Sequence, residues 1–290
     1  MDKNKVICLD HLSILKISGE GAFDLLQGQI TCDVDKVTSE NSALGALCNA
    51  KGRIISSFIF CLLKKKSYAL ISSKETLNHT RDELKKYSPF YEVEIKFDSS
   101  FNFYGIEKVN FSNVFQEEIS NKTNTIHIDN KKFITYLNKK FLLVVCDKKE
   151  SSQFKALFNE EKSKRDWNLD EILCMNVEIS EEISEKYTPH ELNYDLNNRV
   201  DFEKGCYTGQ EIVARMQYRG KNLPRLILAE STDPELKENM IIENKENKKV
   251  GNLVKVVNFY NKSICLISTK EKNTSGSLKV REKNSFLTIS

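Results

Sequence analysis

Residues 203–221 read EKGCYTGQEIVARMQYRGK, and the middle of this stretch predicts a helix with its own start and stop signals. Thr208 followed three residues later by Glu211 is a capping box, in which each side chain bonds the main-chain amide of the other. Gly220 stands where a left-handed C-terminal glycine is expected. Glu211 and Arg215 are spaced for a surface ion pair. The apolar residues that share one face are Ile212, Val213 and Met216.

The loop before this helix carries a cysteine. Cys206 lies two residues upstream of the predicted cap, where the helix dipole and the adjacent Lys204 both favour the thiolate. Gly205 and Gly209 allow unusual dihedral angles and close approach of a ligand or partner. One reading is therefore a reactive thiol on a tight loop. The other is a buried structural cysteine, which is the commoner state of this residue type.

The string KGCYTGQE resembles the signature octapeptide of the YgfZ family, which are folate-binding relatives of the glycine-cleavage aminomethyltransferase, or T-protein. A mitochondrial branch of that family works in iron–sulfur cluster assembly. The match continues through residues 213–215 and 219–220. The residues that carry the resemblance, with Cys206 at the place of the family's functional thiol, are Lys204, Gly205, Cys206, Tyr207, Thr208, Gly209, Gln210, Glu211 and Arg215.

Three other segments support the same resemblance. Residues 25–34, LLQGQITCDV, resemble the family's F-L-Q-G-Q-x-T-x-D run, residues 49–53 its A-K-G-[KR] turn, and residues 188–193 its P-x-E-x-N segment. We predict a hairpin turn at 49–53 with Gly52 in the left-handed region. The polar side chains of the first segment either bind a ligand or brace the turn, and both readings stay open. The same two readings apply to Glu191 and Asn193.

The resemblance implies that a tetrahydrofolate species binds between two halves of the protein. Some family members place tryptophans at two positions that flank the folate, and counting along the chain puts those positions at Leu12 and Ile172. Aliphatic walls stack less well on a pterin than indole rings do, and Trp167 lies too far along its helix to substitute. The candidate folate-binding residues are Leu12, Gln29, Thr31, Asp33, Ile172 and Asn193.

Three functions follow as hypotheses. The resemblance implies a folate-binding factor that maintains iron–sulfur client enzymes, such as a tRNA methylthiotransferase, through the thiol of Cys206 and without necessarily turning over a substrate. The second hypothesis is a true aminomethyltransferase acting on a lipoyl carrier, which needs a carboxylate over the folate that the sequence does not single out. The third is direct tRNA binding. A net charge of only +3 and the lack of a basic-aromatic stripe argue against it.

Composition limits the class of protein and the cellular compartment to be expected. The chain of 290 residues is 40% hydrophobic and 29% charged, as in ordinary globular proteins. Its eight cysteines include no CxxC clip, so we expect small buried thiols in a reducing compartment, with neither disulfides nor a resident metal site. The N-terminal residues lack the apolar core of a signal peptide, and no apolar run is long enough to span a bilayer. We therefore expect a cytoplasmic protein with no membrane partner.

Periodicity predicts two strand-rich cycles, each closed by a helix, followed by short strands after Pro224. We expect an α+β fold of two related halves around a central cavity, plus a small C-terminal antiparallel β-barrel. The predicted domains are residues 1–222, divided into halves of about 1–98 and 99–222, and residues 223–290. The predicted helices are 19–27, 73–87, 151–161 and 167–178. The predicted strands include 6–18, with a turn at 10–11, 43–63, with its hairpin turn, 68–71, 91–97, 101–106, 124–130 and 133–138. Residues 188–193 are expected to be extended because of Pro189.

Overall fold

The computed structural model describes residues 4–117, 119, 124–128, 131–137 and 139–289. The predicted strands 124–130 and 133–138 fall partly outside these ranges. Within them, two sheets with helices on their outer faces are followed by a closed barrel. This is the predicted α+β fold with its C-terminal antiparallel barrel.

The first sheet is antiparallel and has the strand order β3-β4-β5-β2-β6. The chain enters through β1 (Lys5–Cys8), which belongs to the other sheet. The first half then contains β2 (Leu12–Ser18), α1 (Ala22–Gln27), β3 (Ala43–Cys48), β4 (Ile54–Lys64), β5 (Ser67–Ser73), α2 (Lys74–Lys85) and β6 (Glu94–Asp98). The Ser73 hydroxyl accepts a hydrogen bond from the Thr76 amide and so starts α2, which lies within the helix predicted over 73–87.

The second sheet has the order β11-β1-β7-β10-β9-β8, with β1 and β11 running parallel. Its elements are β7 (Phe101–Glu107), α3 (Lys108–Phe115), β8 (Thr125–Ile128), β9 (Lys131–Ile134), β10 (Phe141–Asp147), α4 (Ser151–Lys155) and β11 (Glu160–Glu161), followed by α5 (Lys164–Leu173). Each half thus repeats the succession strand, helix, three strands, helix, strand. The sheet orders also correspond, except that β1 is inserted before β11. The two halves are related, as the sequence predicts.

The two sheets stack face to face because both faces of their strands are apolar. In β5, Tyr68 and Leu70 pack toward the helices of the first half, whereas Ala69 and Ile71 pack against the second sheet. β10 alternates in the same way between the inter-sheet core and the helices of the second half. This period of two residues buries a core between the sheets and another beneath each helical layer.

The C-terminal part is a closed antiparallel barrel with the order β12-β15-β14-β13-β16-β17. It follows α6 (Gln210–Arg219), and its strands are β12 (Arg225–Ser231), β13 (Ile241–Glu243), β14 (Lys249–Asn258), β15 (Ser263–Thr269), β16 (Leu278–Val280) and β17 (Ser285–Ile289). The barrel has its own apolar interior, and its β12, β14 and β15 also pack on the core around residues 172–200. The division at residues 98 and 222 stays a prediction.

Some local predictions are wrong. Helix α3 was not predicted, and α4 ends at Lys155, after which Glu160 and Glu161 pair with β1. Helix α5 begins earlier than predicted, because the Ser163 hydroxyl accepts from the Arg165 amide and caps its start. It also ends earlier than predicted, at Leu173. Residues 190–192 form a 3-10 turn instead of extended chain. No helix among the described residues is long and apolar enough to cross a membrane.

Candidate functional site

The loop that carries Cys206 is fastened on one side by Lys204. The ammonium of Lys204 donates to the carbonyl oxygens of Gln27 at 2.8 Å, Ile30 at 2.7 Å and Cys32 at 3.0 Å. The side chain is buried, and burial lowers its pKa from the ordinary value. A buried ammonium surrounded by main-chain carbonyls is a structural clamp, and it joins the 203–221 stretch to the 25–34 segment.

Thr208 fastens the other side of the loop. Its amide donates to the Gly28 carbonyl at 3.2 Å, and its hydroxyl donates to Oε1 of Gln29 at 3.1 Å. The predicted capping box is therefore wrong, because the Thr208 hydroxyl is used across the fold. Helix α6 starts at Gln210, and the residue before it, Gly209, has no side chain to cap the helix.

The far end of α6 also differs from the prediction. Gly220 is extended, with φ −72° and ψ 124°, so it is not a left-handed cap. The Glu211–Arg215 ion pair is confirmed at 2.8 Å, and Val213 is the fully buried residue of the helix.

The glycine turn of residues 49–53 supports the start of α6. Gly52 has φ +68°, as predicted, and a Cβ at this position would lie 3.0 Å from Ile212. Gly209 has φ +84°, and a Cβ there would lie 2.4 Å from the Asn49 carbonyl oxygen. The two glycines let the turn and the helix start touch, so the turn braces the motif.

Tyr207 is the buried anchor next to the thiol. Its ring is buried, the Lys204 ammonium lies 5.3 Å from the ring centroid, and burial raises the pKa of its hydroxyl. The hydroxyl oxygen is buried and has no hydrogen-bond partner among the described residues. Tyr207 therefore holds the loop mainly through its ring.

Cys206 itself is exposed. The buried structural reading of this residue is wrong. Gly205 is also open, since nothing lies within 4 Å of the place that a Cβ would take. Cys8 and Cys174 are partly buried, and the buried cysteines are Cys32, Cys48, Cys61, Cys146 and Cys265. Within the described part of the chain, Cys206 is the thiol presented to solvent, and it lies between two anchored neighbours.

The polar residues of the 25–34 segment mostly bind the protein itself. The Thr31 hydroxyl donates to the Arg199 carbonyl at 2.5 Å and accepts from the Ala46 amide at 2.9 Å. Asp33 accepts from the side-chain amide of Gln27 at 2.8 Å. These contacts fit the interpretation in which the polar side chains brace the turn. Asp33 also lines a large cavity beside the thiol loop.

Asn193, Leu12 and Ile172 lie away from that cavity. The Asn193 side chain donates to the carbonyl and accepts from the amide of Leu226, both at 3.3 Å, and so joins its turn to β12. Leu12 packs in the inter-sheet core, and Ile172 is fully buried in the core beneath the barrel. None of the three is among the residues that line the cavity. These three predicted folate-binding residues are therefore not part of the cavity wall.

A cavity of about 810 Å³ opens beside the thiol loop, within the size range of small-molecule sites. Residues from both halves line it, together with the chain that leads into the KGCYTGQE motif. Sequence reasoning missed most of them, including two aromatic rings. Its lining residues include Cys32, Asp33, Lys36, Tyr136, Asp195, Asn197, Asp201, Phe202 and Glu203.

Two carboxylates of this cavity, those of Asp195 and Asp201, are held by bases or amides. Asp201 lies 2.5 Å from the Lys36 ammonium and accepts from the amides of Glu203 and Lys204. Burial opposes ionisation of Asp201, but the Lys36 bond and these amides outweigh it and lower its pKa. Asp195 lies 2.6 Å from a guanidinium nitrogen of Arg225. Both carboxylates are therefore fixed in position, and the lowered pKa keeps Asp201 ionised.

Behind the cavity lies a buried ionic cluster. Glu171 is 1% exposed and pairs with Lys139, whose side chain is fully buried. Tyr136 donates to Glu171 at 2.9 Å, and Asn176 donates to its other oxygen. Burial alone raises the pKa of Glu171, but the cations outweigh burial and lower it to about 2. The cluster is therefore a charged pair within the protein.

No family model matches the chain. The tRNA-modifying protein YgfZ of Colwellia psychrerythraea is 32% identical over 224 residues, which cover 75% of this chain and 68% of that protein. The protein of the same name from Hamiltonella defensa is 32% identical over 236 residues, covering 75% and 67%.

The chain belongs to the YgfZ family. A third YgfZ protein, from Vibrio atlanticus, is 30% identical over 226 residues, which cover 77% of this chain and 69% of that one. Among solved structures, the glycine cleavage system aminomethyltransferase T from Bartonella henselae superposes with a TM-score of 0.75. The two sequences are 11% identical, and the superposition covers 99% of this chain and 85% of the aminomethyltransferase chain. The YgfZ chain therefore has the T-protein fold.

Proposed function

We propose that this protein binds a tetrahydrofolate and supports iron–sulfur client enzymes that modify tRNA, with Cys206 as its functional thiol. One observation carries the proposal. The exposed Cys206 lies on a loop that Lys204 clamps to residues 27–32, and Cys32 and Asp33 of that neighbouring segment line the central cavity. The relatives are named tRNA-modifying protein YgfZ, and these names support a role connected with tRNA modification.

The proposed folate site is the central cavity. Its volume suits a folate, and its wall combines apolar side chains, two aromatic rings and fixed carboxylates that can accept from the amino and imino groups of a pterin. Asp33 is the sequence-predicted candidate on that wall. Gln29 and Thr31 serve the site indirectly, by holding the thiol loop and the segment before it.

The chemistry proposed for Cys206 is limited by its isolation. One cysteine completes an iron–sulfur cluster only together with ligands from a client protein or a small thiol. We therefore propose transient contact with a cluster, a sulfur species or a client such as a tRNA methylthiotransferase, and no resident metal. Residues 1–222 would form the folate-binding part and residues 223–290 the barrel domain, in a protein that acts in the cytoplasm.

Complementation tests this function. A strain that lacks its own copy of the gene receives wild type, Cys206→Ser or Cys174→Ser, and the methylthio modification of its tRNA is measured. Cys174 is a partly buried cysteine at the end of α5 and serves as the matched control. Rescue by wild type and Cys174→Ser, but not by Cys206→Ser at equal protein level, is expected. Equal rescue by all three removes the thiol from the proposal.

A second candidate function is aminomethyl transfer, and the carboxylates on the cavity wall favour it. Asp33, Asp195 and Asp201 all line the cavity, although each is already bonded to another side chain. Tetrahydrofolate-dependent release of the aminomethyl group from a lipoyl carrier measures this activity directly. Direct tRNA binding is tested separately by a gel shift whose salt dependence reports phosphate contacts.

A further inference from the structure

Tyr136 lines the central cavity without offering its hydroxyl group to a ligand. That hydroxyl donates to Oε1 of Glu171 at 2.9 Å and lies 3.3 Å from the Lys139 ammonium, which can donate to it. Glu171 and Lys139 are both buried. Because the polar end of Tyr136 is taken up inside the protein, the part left for the cavity is the aromatic ring.

The ring is held in place from both halves of the fold. Asn176 donates to the second oxygen of Glu171, and its own Oδ1 accepts from Arg199 at 3.0 Å. The Arg199 guanidinium also donates to the carbonyls of Gly45 and Phe58, each at 3.2 Å, in the first sheet. A wall residue fixed in this way loses little conformational freedom when a ligand packs on it, so its contact is preorganised.

Asn197 supplies a hydrogen-bond donor on the same cavity wall. Its Oδ1 accepts from the Arg199 amide at 3.3 Å, which fixes the orientation of the side-chain amide. Its Nδ2 is buried and has no partner among the described residues. A buried donor without a partner is costly, and a ligand acceptor placed against it would remove that cost.

We propose that Tyr136 and Asn197 are a recognition pair for a flat heteroaromatic ring with an acceptor atom on its edge. Tyr136 stacks on the ring, and Asn197 Nδ2 donates to its carbonyl or ring nitrogen. The assignment rests on and deepens the proposed folate function, since the pyrimidinone half of a tetrahydropterin is such a ring, and it concerns the ring alone. It also supplies an aromatic wall that Leu12 and Ile172 do not.

The test uses isothermal titration calorimetry with three probes. 5-Formyltetrahydrofolate is the whole ligand, pterin is the ring without its tail, and p-aminobenzoylglutamate is the tail without the ring. The variants are Tyr136→Phe, Tyr136→Leu and Asn197→Asp. Tyr260→Leu, at a fully exposed tyrosine on the β14–β15 hairpin, is the matched control.

Tyr136→Leu should weaken the binding of pterin and of 5-formyltetrahydrofolate by about tenfold, because the stacking surface is lost. Asn197→Asp should weaken the binding of both ligands by about tenfold, because a carboxylate oxygen then replaces the Nδ2 donor opposite the acceptor atom of the ring. Tyr136→Phe keeps the ring and should stay within about threefold of wild type, as should Tyr260→Leu. Binding of p-aminobenzoylglutamate should not change in any variant.

The position of the bound ring is checked by fluorescence. Trp167 is the one tryptophan of the chain. The Lys139 ammonium, which contacts Tyr136, lies 3.4 Å from the centroid of the Trp167 ring. A ring stacked on Tyr136 should therefore change the Trp167 emission of wild type and Tyr136→Phe, and not that of Tyr136→Leu. Circular dichroism confirms folding, and Asn197→Asp carries the test alone if Tyr136→Leu does not fold.

The outcomes separate this inference from the folate proposal. Undiminished binding of 5-formyltetrahydrofolate by Tyr136→Leu and Asn197→Asp overturns the recognition pair and leaves the folate function standing. Pterin binding that depends on both residues, without binding of 5-formyltetrahydrofolate, supports the pair and overturns the folate function. If the wild-type chain binds neither pterin nor 5-formyltetrahydrofolate, both the recognition pair and the folate function are overturned.

Discussion

The Lys204 ammonium lies 2.7 Å from the carbonyl oxygen of Ile30, inside the turn that follows α1. The two residues belong to separate sequence motifs, and this bond is the centre of the contact between them. The lysine of the octapeptide therefore serves the backbone of the 25–34 segment. Through that backbone it fixes where Cys206 stands.

Lys204→Met should destabilise the protein by about 2–4 kcal/mol, because three carbonyl oxygens lose their donor in a buried place. Lys204→Arg should also be harmful, since a planar guanidinium does not fit a cradle built around an ammonium. Urea denaturation measures both effects. Wild-type stability in Lys204→Met would contradict the clamp.

The two glycines of the motif should differ sharply. Gly209→Ala is expected to destabilise the protein by about 2 kcal/mol or more, because φ is +84° and the new Cβ meets the Asn49 carbonyl. Gly205→Ala has open space and should change stability by less than about 0.5 kcal/mol. Thermal melting of the two variants side by side gives the measurement. Equal losses would mean that the turn against α6 is not the constraint.

Cys206 should react first when the native protein meets a thiol reagent. It is exposed, whereas burial raises the pKa of Cys32 and of Cys48 to about 12 and keeps them protonated. Limited iodoacetamide labelling followed by peptide mass spectrometry identifies the modified residue. Cys206→Ser should lose this fast label and keep wild-type stability. A large loss of stability in that variant would speak for a packing role.

His11 should make stability depend on pH. Burial, and then the charges of Lys164 and Lys255, lower its pKa from 6.5 to about 4. Between these pH values the unfolded chain binds more protons than the folded one, so stability rises as the pH rises through this window. The change is at most roughly 3 kcal/mol.

The variant His11→Gln should flatten that rise, and His79→Gln, at an exposed histidine, is the matched control. Denaturation of the three proteins at several pH values across the window measures the slopes. An unchanged slope in His11→Gln would assign the pH dependence to other groups.

The Lys139–Glu171 pair should behave as a unit. Each of Lys139→Met and Glu171→Gln leaves one buried partner without its counterpart, and each should cost about 3–5 kcal/mol. The double variant should lose less than the sum of the two, because it no longer leaves a buried charge uncompensated. A double-mutant cycle in urea tests this, and simple additivity would argue against a direct interaction.

The sequence predicted the sheets and the barrel well, because apolar alternation and turn residues act locally. Helix α3 was not predicted, because it lacks such local signals. It is short, and the residue before it, Glu107, makes no side-chain cap. The capping box failed differently, since Thr208 bonds Gln29, which lies 179 positions away in the chain. Here a tertiary contact replaced a local one.

The site was predicted only in part. The resemblance pointed to the thiol loop, and the exposure of Cys206 agrees with the reactive reading. The sequence did not predict the cavity wall, because Tyr136 and Asn197 are far apart along the chain and border the same cavity only in the folded protein. No periodicity marks such residues. The one local sign was the run of polar residues just before the motif.

The strand order of the second sheet bears on how the chain is synthesised. β1 (Lys5–Cys8) pairs with Phe101–Glu107 and with Glu160–Glu161, so its hydrogen-bonding partners leave the ribosome long after it does. Until then the apolar side chains of Val6 and Ile7 have no native place to be buried. During translation β1 is therefore without its hydrogen-bonding partners for a long interval, and it needs protection from aggregation in that time.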